Sequence, residues 1–151
     1  MEKPSKKLVL TLTAVTDIAY HGGAEPVQSQ DIARRLSLPR RYLEQVMQQL
    51  VRAGILRGVR GPRGGYRLAR ERRRVSVGDV VRVVRGIEDI AQQDELGPAS
   101  ELGAKVIGPF WATTEEELMA RLDRVTIEDL CRQAEGQGVP SEAEREVDFA
   151  I

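Results

Sequence analysis

Two short runs of alternating side chains, residues 55–59 and 66–69, flank the stretch Arg60-Gly61-Pro62-Arg63-Gly64-Gly65. Alternation of period two, broken by glycine and proline, is the pattern of a β-hairpin. Everything upstream of it reads as helix, so the hairpin limits the fold: a plain helical bundle has no place for it.

The upstream segments follow the helical period. Leu8, Leu12, Val15, Ile18 and Ala19 recur at spacings of three and four across residues 5–21, and Gly22-Gly23 stops that helix. Pro26-Val27 opens a short extended link, and Ser29 is suited to cap a second helix that carries Asp31, Ile32, Ala33 and Leu36. Ser37-Leu38-Pro39 makes a turn into a third helix over residues 40–53, ended by Gly54. Its apolar stripe is Leu43, Val46, Met47, Leu50 and Val51, which leaves Arg40, Arg41, Glu44, Gln45, Gln48, Gln49 and Arg52 on the opposite edge. Helix, helix, turn, helix, hairpin is the order of a winged helix-turn-helix. The expected fold is mainly α with a small β-hairpin wing, followed by a dimerisation helix.

Beyond the wing, Ser76 and Asp79 have the spacing of a capping box, opening a helix with Val77, Val80, Val81 and Val84 inward and Gly86 at its end. Periodicity then fails through residues 87–109, where Gly97-Pro98, Gly103 and Gly108-Pro109 read as breaks in a loop with room for one short helical turn. A helix from Thr113 or Thr114 to Leu122 follows. Phe110, Trp111, Leu118 and Leu122 form an apolar edge too large for so small a domain to bury, which predicts a homodimer. Thr126 caps a last helix over residues 127–134, and the polar tail from 136 is expected to be flexible. The division is therefore a DNA-binding domain at 1–86, an acidic loop with dimerisation helices at 87–135, and a tail at 136–151.

Charge follows that division. The 151 residues sum to zero, but residues 1–86 carry 18 Lys/Arg against 7 Asp/Glu, and residues 87–151 carry 5 against 16. The first part is at net +11 and the second at −11. A basic module built on a winged helix is the footprint of contact with phosphates. Thr11, Thr13, Thr16 and Asp17 dilute the first apolar run too far for a secretory signal, and no run approaches the ~20 apolar residues of a membrane span. A cytoplasmic protein without membrane contact is expected.

Several of these stretches together resemble a known family. Pro26-Val27, Asp31-Ile32-Ala33, Tyr42-Leu43-Glu44-Gln45, Ala53-Gly54-Ile55-Leu56, residues 59–69 and Val77-Gly78-Asp79-Val80 closely resemble the Rrf family of bacterial transcription regulators. The resemblance covers residues 5–135 and implies groove-reading residues at Arg40, Arg41, Tyr42, Glu44, Gln45 and Arg60. Their chemistry agrees: Glu44 can accept from a cytosine amino group, Gln45 can pair with adenine, and Arg60 or Arg63 can lie in a minor groove beside Gly61. Backbone amides at the helix start near Ser29 can hold a phosphate. Packing offers another use for two of them, since Tyr42 also suits a core and Glu44 also suits an intrahelical pair with Arg40 or Arg41.

The resemblance also implies an iron–sulfur cluster on cysteines after the Gly78-Asp79 helix. Those positions fall near Gln93, Ala99 and Lys105, with a further ligand near Gly108, and none of these offers a thiolate or an imidazole. No cluster, other metal or cofactor is expected. Asp94, Glu95 and Glu101 read as an acidic, solvated loop. Cys131, the lone cysteine, is either a buried structural residue or a thiol sensor, and His21, the lone histidine, suits the end of its helix. No nucleophile–base pair or phosphate-cradling motif supports an enzyme. The expected function is that of a sequence-specific DNA-binding regulator, a repressor acting as a homodimer. Its signal enters through a regulatory protein partner, a small molecule or Cys131. The alternative is an adaptor that uses the same module to bind protein.

Overall fold

The computed structural model describes residues 4–92 and 100–143, with no side chain described between 87 and 92. The expected breaks at Gly97-Pro98, the acids Asp94 and Glu95 and the tail beyond 143 lie outside the described residues. Helix α1 (Lys6–His21) is opened by Ser5, whose hydroxyl accepts from the Leu8 amide at 3.2 Å. Helices α2 (Ser29–Leu36) and α3 (Arg40–Arg52) follow, joined through Ser37 in the left-handed conformation at φ 53°. Strands β1 (Leu56–Val59) and β2 (Gly65–Leu68) form the antiparallel wing, with Leu56 opposite Leu68 and Val59 opposite Gly65. The winged helix-turn-helix order expected from the sequence is present.

One apolar cluster joins every part of this module. Ala14, Val15 and Ile18 of α1 meet Ile32 of α2, Leu43, Met47 and Leu50 of α3, and Ile55 and Leu56 at the wing's root. Met47, Leu50 and Ile32 are fully buried. An ion pair supplements the apolar contact between α1 and α2. Arg35 donates through Nε and Nη2 to the two Asp17 carboxylate oxygens, both at 2.9 Å, in a site almost closed to solvent.

Downstream, a 3₁₀ turn (Arg72–Arg74) leads into α4 (Val77–Gln92) through the expected capping box. The Asp79 amide donates to Ser76 Oγ and the Ser76 amide to Asp79 Oδ2, each at 3.0 Å. Gly86 was expected to end this helix, yet the helix runs past it to Gln92. A mid-helix glycine costs only about 1 kcal/mol relative to alanine, and buried Val80, Val81 and Val84 anchor the preceding turns.

The next helix also starts earlier than Thr113. A π-helical turn (Gly103–Ile107) continues directly into α5 (Gly108–Asp123). Pro109, read from the sequence as a breaker, follows directly on the π turn, and the helix continues through it. Where α5 ends it meets the start of α4. A Cβ on Gly78 would stand 1.9 Å from Asp123 Oδ1, and Arg82 donates to both oxygens of that carboxylate, at 2.8 and 2.7 Å.

Helix α6 (Ile127–Gly136) returns to the first module. Thr126 and Asp129 make a second capping box, and Ser76 and Thr126 pair as an antiparallel bridge. Backbone bonds from Val77 N to Val125 O and from Ile127 N to Val75 O, both 2.8 Å, fasten the entries of α4 and α6 together. Ile127 and Cys131 are buried in the same core as Val15 and Leu50.

The chain after α6 departs from the expected flexible tail as far as residue 143. Ser141 Oγ donates to the Tyr20 carbonyl at 2.8 Å and is 6 % exposed. The Glu142 amide donates to His21 Nδ1 at 3.2 Å, and the Glu142 carboxylate lies 2.9 Å from Arg35 Nη1 and 3.3 Å from Arg34 Nη2. Burial pushes the His21 pKa down, so the neutral ring is favoured and Nδ1 is free to accept. His21 thus anchors a distant segment as well as ending α1. Among the described residues no helix is long and apolar enough to cross a membrane.

Because Ile127 lies fully buried in the shared cluster, its truncation should disturb the whole unit. Ile127→Ala is expected to cost about 2–5 kcal/mol. Denaturant unfolding followed by both circular dichroism and Trp111 fluorescence should still show one coincident transition.

Candidate nucleic-acid interface

Burying Leu43, Val46, Met47 and Leu50 fixes the rotation of α3, and that rotation decides which side chains reach outward. Arg40, Arg41, Tyr42, Glu44, Gln45 and Gln48 are all exposed. Tyr42 is 38 % exposed, so it belongs to the outer surface rather than to the core. Glu44 accepts from Arg40 Nε at 3.2 Å, the intrahelical pair that was one of its two readings. Both partners are about half exposed or more. Such a pair is worth little in water, so it costs little to exchange for a base or a phosphate.

The wing's position follows from a close backbone approach. The Val27 amide donates to the Tyr66 carbonyl at 3.0 Å and the Tyr66 amide to the Val27 carbonyl at 2.8 Å, which makes Val27 a one-residue third strand. A Cβ on Gly65 would lie 2.2 Å from the Val27 carbonyl oxygen, so the pairing requires glycine there. This pairing also corrects the reading of Ser29. The extended backbone continues through Gln28, which becomes the residue before the helix, while Ser29 falls inside the first turn and caps nothing.

A cleft of about 700 Å³ opens between the wing, α3 and the start of α2. Arg40 enters it from α3, Arg60 and Gly61 from the wing, and Gln28 and Ser29 from α2. No lining residue is acidic. Gln48 of α3 and Tyr66 of β2 both line it, and burial pushes the Tyr66 phenol up. The α2 amides have no side-chain cap and open toward this cleft. Arg63 stands apart, paired with Glu25 at 3.2 Å on the open surface.

Structure therefore unites Ser29, Arg40, Arg60 and Gly61 in one cleft, while Arg41, Tyr42, Glu44 and Gln45 are exposed on α3 outside its lining. Gln28, Gln48 and Tyr66 were not among the expected site residues. Gln48 lies one helical turn beyond Glu44, a spacing that carried the signal. Nothing local in the sequence says that Tyr66 meets α3.

The donor set does not fit the thiolate cluster that the resemblance implied. Lys105 is engaged by Glu101 at 2.9 Å on the π turn, Gly108 has no side chain, and Gln93 and Ala99 lie outside the described residues. Among the described residues no group of three or more His, Cys, Asp or Glu side chains is placed to hold a metal ion. Cys131, on α6, is 2 % exposed, and burial pushes its thiol up even though Arg72 stands beside it. That environment suits a packed thiol better than a reactive thiolate.

The sequence matches the Rrf2 family, described as "Iron-dependent Transcriptional regulator", over residues 4–133. The chain belongs to that family. Protein rrf2 of Nitratidesulfovibrio vulgaris is 33% identical over 119 residues, which are 78% of this chain and 79% of the relative. Among solved structures, IscR of T. potens superposes with a TM-score of 0.72 at 34% identity, covering 93% of each chain. CymR of Bacillus subtilis, the global cysteine regulator of that organism, gives a TM-score of 0.68 at 31% identity, covering 88% of this chain and 98% of that one. The winged helix and the role of transcriptional regulator are thus those of the Rrf2 family.

Since Gly65 admits no side chain, Gly65→Ala should break the bridge to Val27. The expected loss is about 1–3 kcal/mol, the worth of two hydrogen bonds. Hydrogen exchange should show the Val27 and Tyr66 amides deprotected.

Proposed function

We propose that this Rrf2-family regulator binds a partly palindromic operator as a homodimer and represses transcription in the cytoplasm. The observation that carries the reading is the convergence of Arg40 and Arg60, from two separate elements, on one cleft without an acidic lining residue. In this reading the outer edge of α3 enters the major groove and the wing tip reaches the adjacent minor groove. Arg41, Glu44, Gln45 and Gln48 face base edges, and Arg60 lies in the narrow groove where the negative potential is greatest. The uncapped amides of α2 hold a backbone phosphate. Exposed pairs such as Arg40–Glu44 and Arg63–Glu25 give way on docking at small cost.

The homodimer rests on α5, which has no buried residue. Phe110 and Trp111 are 62 % and 58 % exposed and stack edge to face at 5.9 Å. Leu118 continues their surface, and Leu122 lies half-buried at its end. Leu102, Val106 and Ile107 are also exposed, on the π turn and its approach, and add to the apolar surface. A second copy of the same helix is the natural cover for so much apolar surface.

Two measurements test this. Arg60→Ala should weaken operator binding by about 1–3 kcal/mol and flatten the plot of log K against log salt by about 0.9. Unchanged affinity and slope would leave the module as a protein-binding adaptor instead. Trp111→Glu should halve the mass in sedimentation and lower operator affinity together, whereas a dimeric variant would refute the α5 interface.

A further inference from the structure

The wing has two faces, and both reach the cleft near the tip, Gly58 and Tyr66 from one and Val59 and Gly65 from the other, while Arg57 and Arg67 lie outside its lining. Strand alternation puts the pairs Leu56–Leu68 and Gly58–Tyr66 on the inner face and Arg57–Arg67 and Val59–Gly65 on the outer one. Arg57 and Arg67 therefore stand directly opposite each other on adjacent strands, with no residue between them. Like charges so placed destabilise a hairpin, because their Cβ atoms are only about 5 Å apart. Arg67 turns aside to donate to the Ala24 carbonyl. Arg57 is exposed and has no ion-pair partner among the described residues. Arg70 and Arg72 border the same depression of about 400 Å³, and its two acids are each engaged elsewhere, Glu25 by Arg63 and Glu71 by Arg73.

We propose that this outer face is a phosphate-binding surface. With Arg57 in the lead and Arg67 behind it, it grips one sugar–phosphate strand at the rim of the minor groove that the wing tip enters. The inference deepens the function proposed above and rests on it. A hairpin that puts its tip into a minor groove passes between two phosphate strands, so each of its faces meets one. Arg57 is three residues behind Arg60 along β1, or about 10 Å at the rise of a strand. The groove is about 7.5 Å deep, so a tip at its floor brings Arg57 level with the rim, where the phosphates stand. A phosphate beside the two guanidinium groups also offsets the repulsion that the free hairpin bears. The same docking that seats Arg60 delivers Arg57, which favours the duplex over a separate acidic protein as the occupant.

The premise and the proposal predict effects of opposite sign. In the full chain, Arg57→Glu creates an opposite-charge pair with Arg67, so the thermal midpoint should rise while operator affinity falls at least tenfold at moderate salt. Arg57→Ala should lower the salt slope by about 0.9, the share of one phosphate contact. Arg74→Ala is the control: it removes the same charge from an exposed residue of the 3₁₀ turn, off the wing, and should leave the slope unchanged. A lower midpoint for Arg57→Glu would contradict the repulsion premise. Should Arg57→Ala match Arg74→Ala while Arg60→Ala still weakens binding, the outer face does not touch phosphate, and the proposal fails although the operator reading stands. Loss of binding to an acidic protein with an unchanged DNA slope would overturn it as well. If Arg60→Ala has no effect either, both readings fall together.

Discussion

Everything the putting-together of this surface requires passes through the backbone pairing of Val27 with Tyr66. Two hydrogen bonds hold the link before α2 against β2, and they form only because residue 65 has no Cβ. The pairing does two jobs at once. It brings the start of α2 to the cleft, and it holds the wing beside α3, where Tyr66 and Gln48 line the same cleft. Individually these bonds are worth about 1 kcal/mol each, less than burying one core leucine. Their importance is geometric, since the apolar core alone would tolerate a range of wing angles.

Stability and surface are divided between different helices. The cluster around Met47, Leu50, Ile32 and Ile127 holds α1, α2, α3 and α6 as one body, so α6 is part of the winged-helix core rather than an appendage. Helix α5 contributes nothing buried to that body. Its apolar side chains are exposed, and its end is fastened to α4 through Gly78, Arg82 and Asp123.

Much of this was legible in the sequence, and the reasons differ by element. The helices α1 and α3 and the hairpin were visible because their signals are local: period, cap and turn chemistry. The Ser76–Asp79 capping box and the Thr126 cap were equally plain, while the reciprocal bond from Asp129 that completes a second box was not read. The misreadings came where a breaker residue was tolerated by context. Gly86 is carried within a helix anchored by its valines, and Pro109 follows on a π turn through which the helix continues, so neither ends anything. Ser29 was assigned the cap because residue type suggested it, while a tertiary strand pairing moved the helix start. The strap formed by Ser141 and Glu142 over His21 and Arg35 depends on residues more than a hundred positions apart, which no local pattern encodes.

The joint between α4 and α5 has a mechanical meaning. With the Gly78 backbone pressed against Asp123, there is no slack at the point where α5 leaves the body. A helix of 16 residues is about 24 Å long, so it acts as a lever whose fulcrum is that contact. A few degrees of rotation there become ångströms at the far end. In a symmetric pair of copies the distance between the two reading heads would then be tuned at the fulcrum, by side chains that never approach a base.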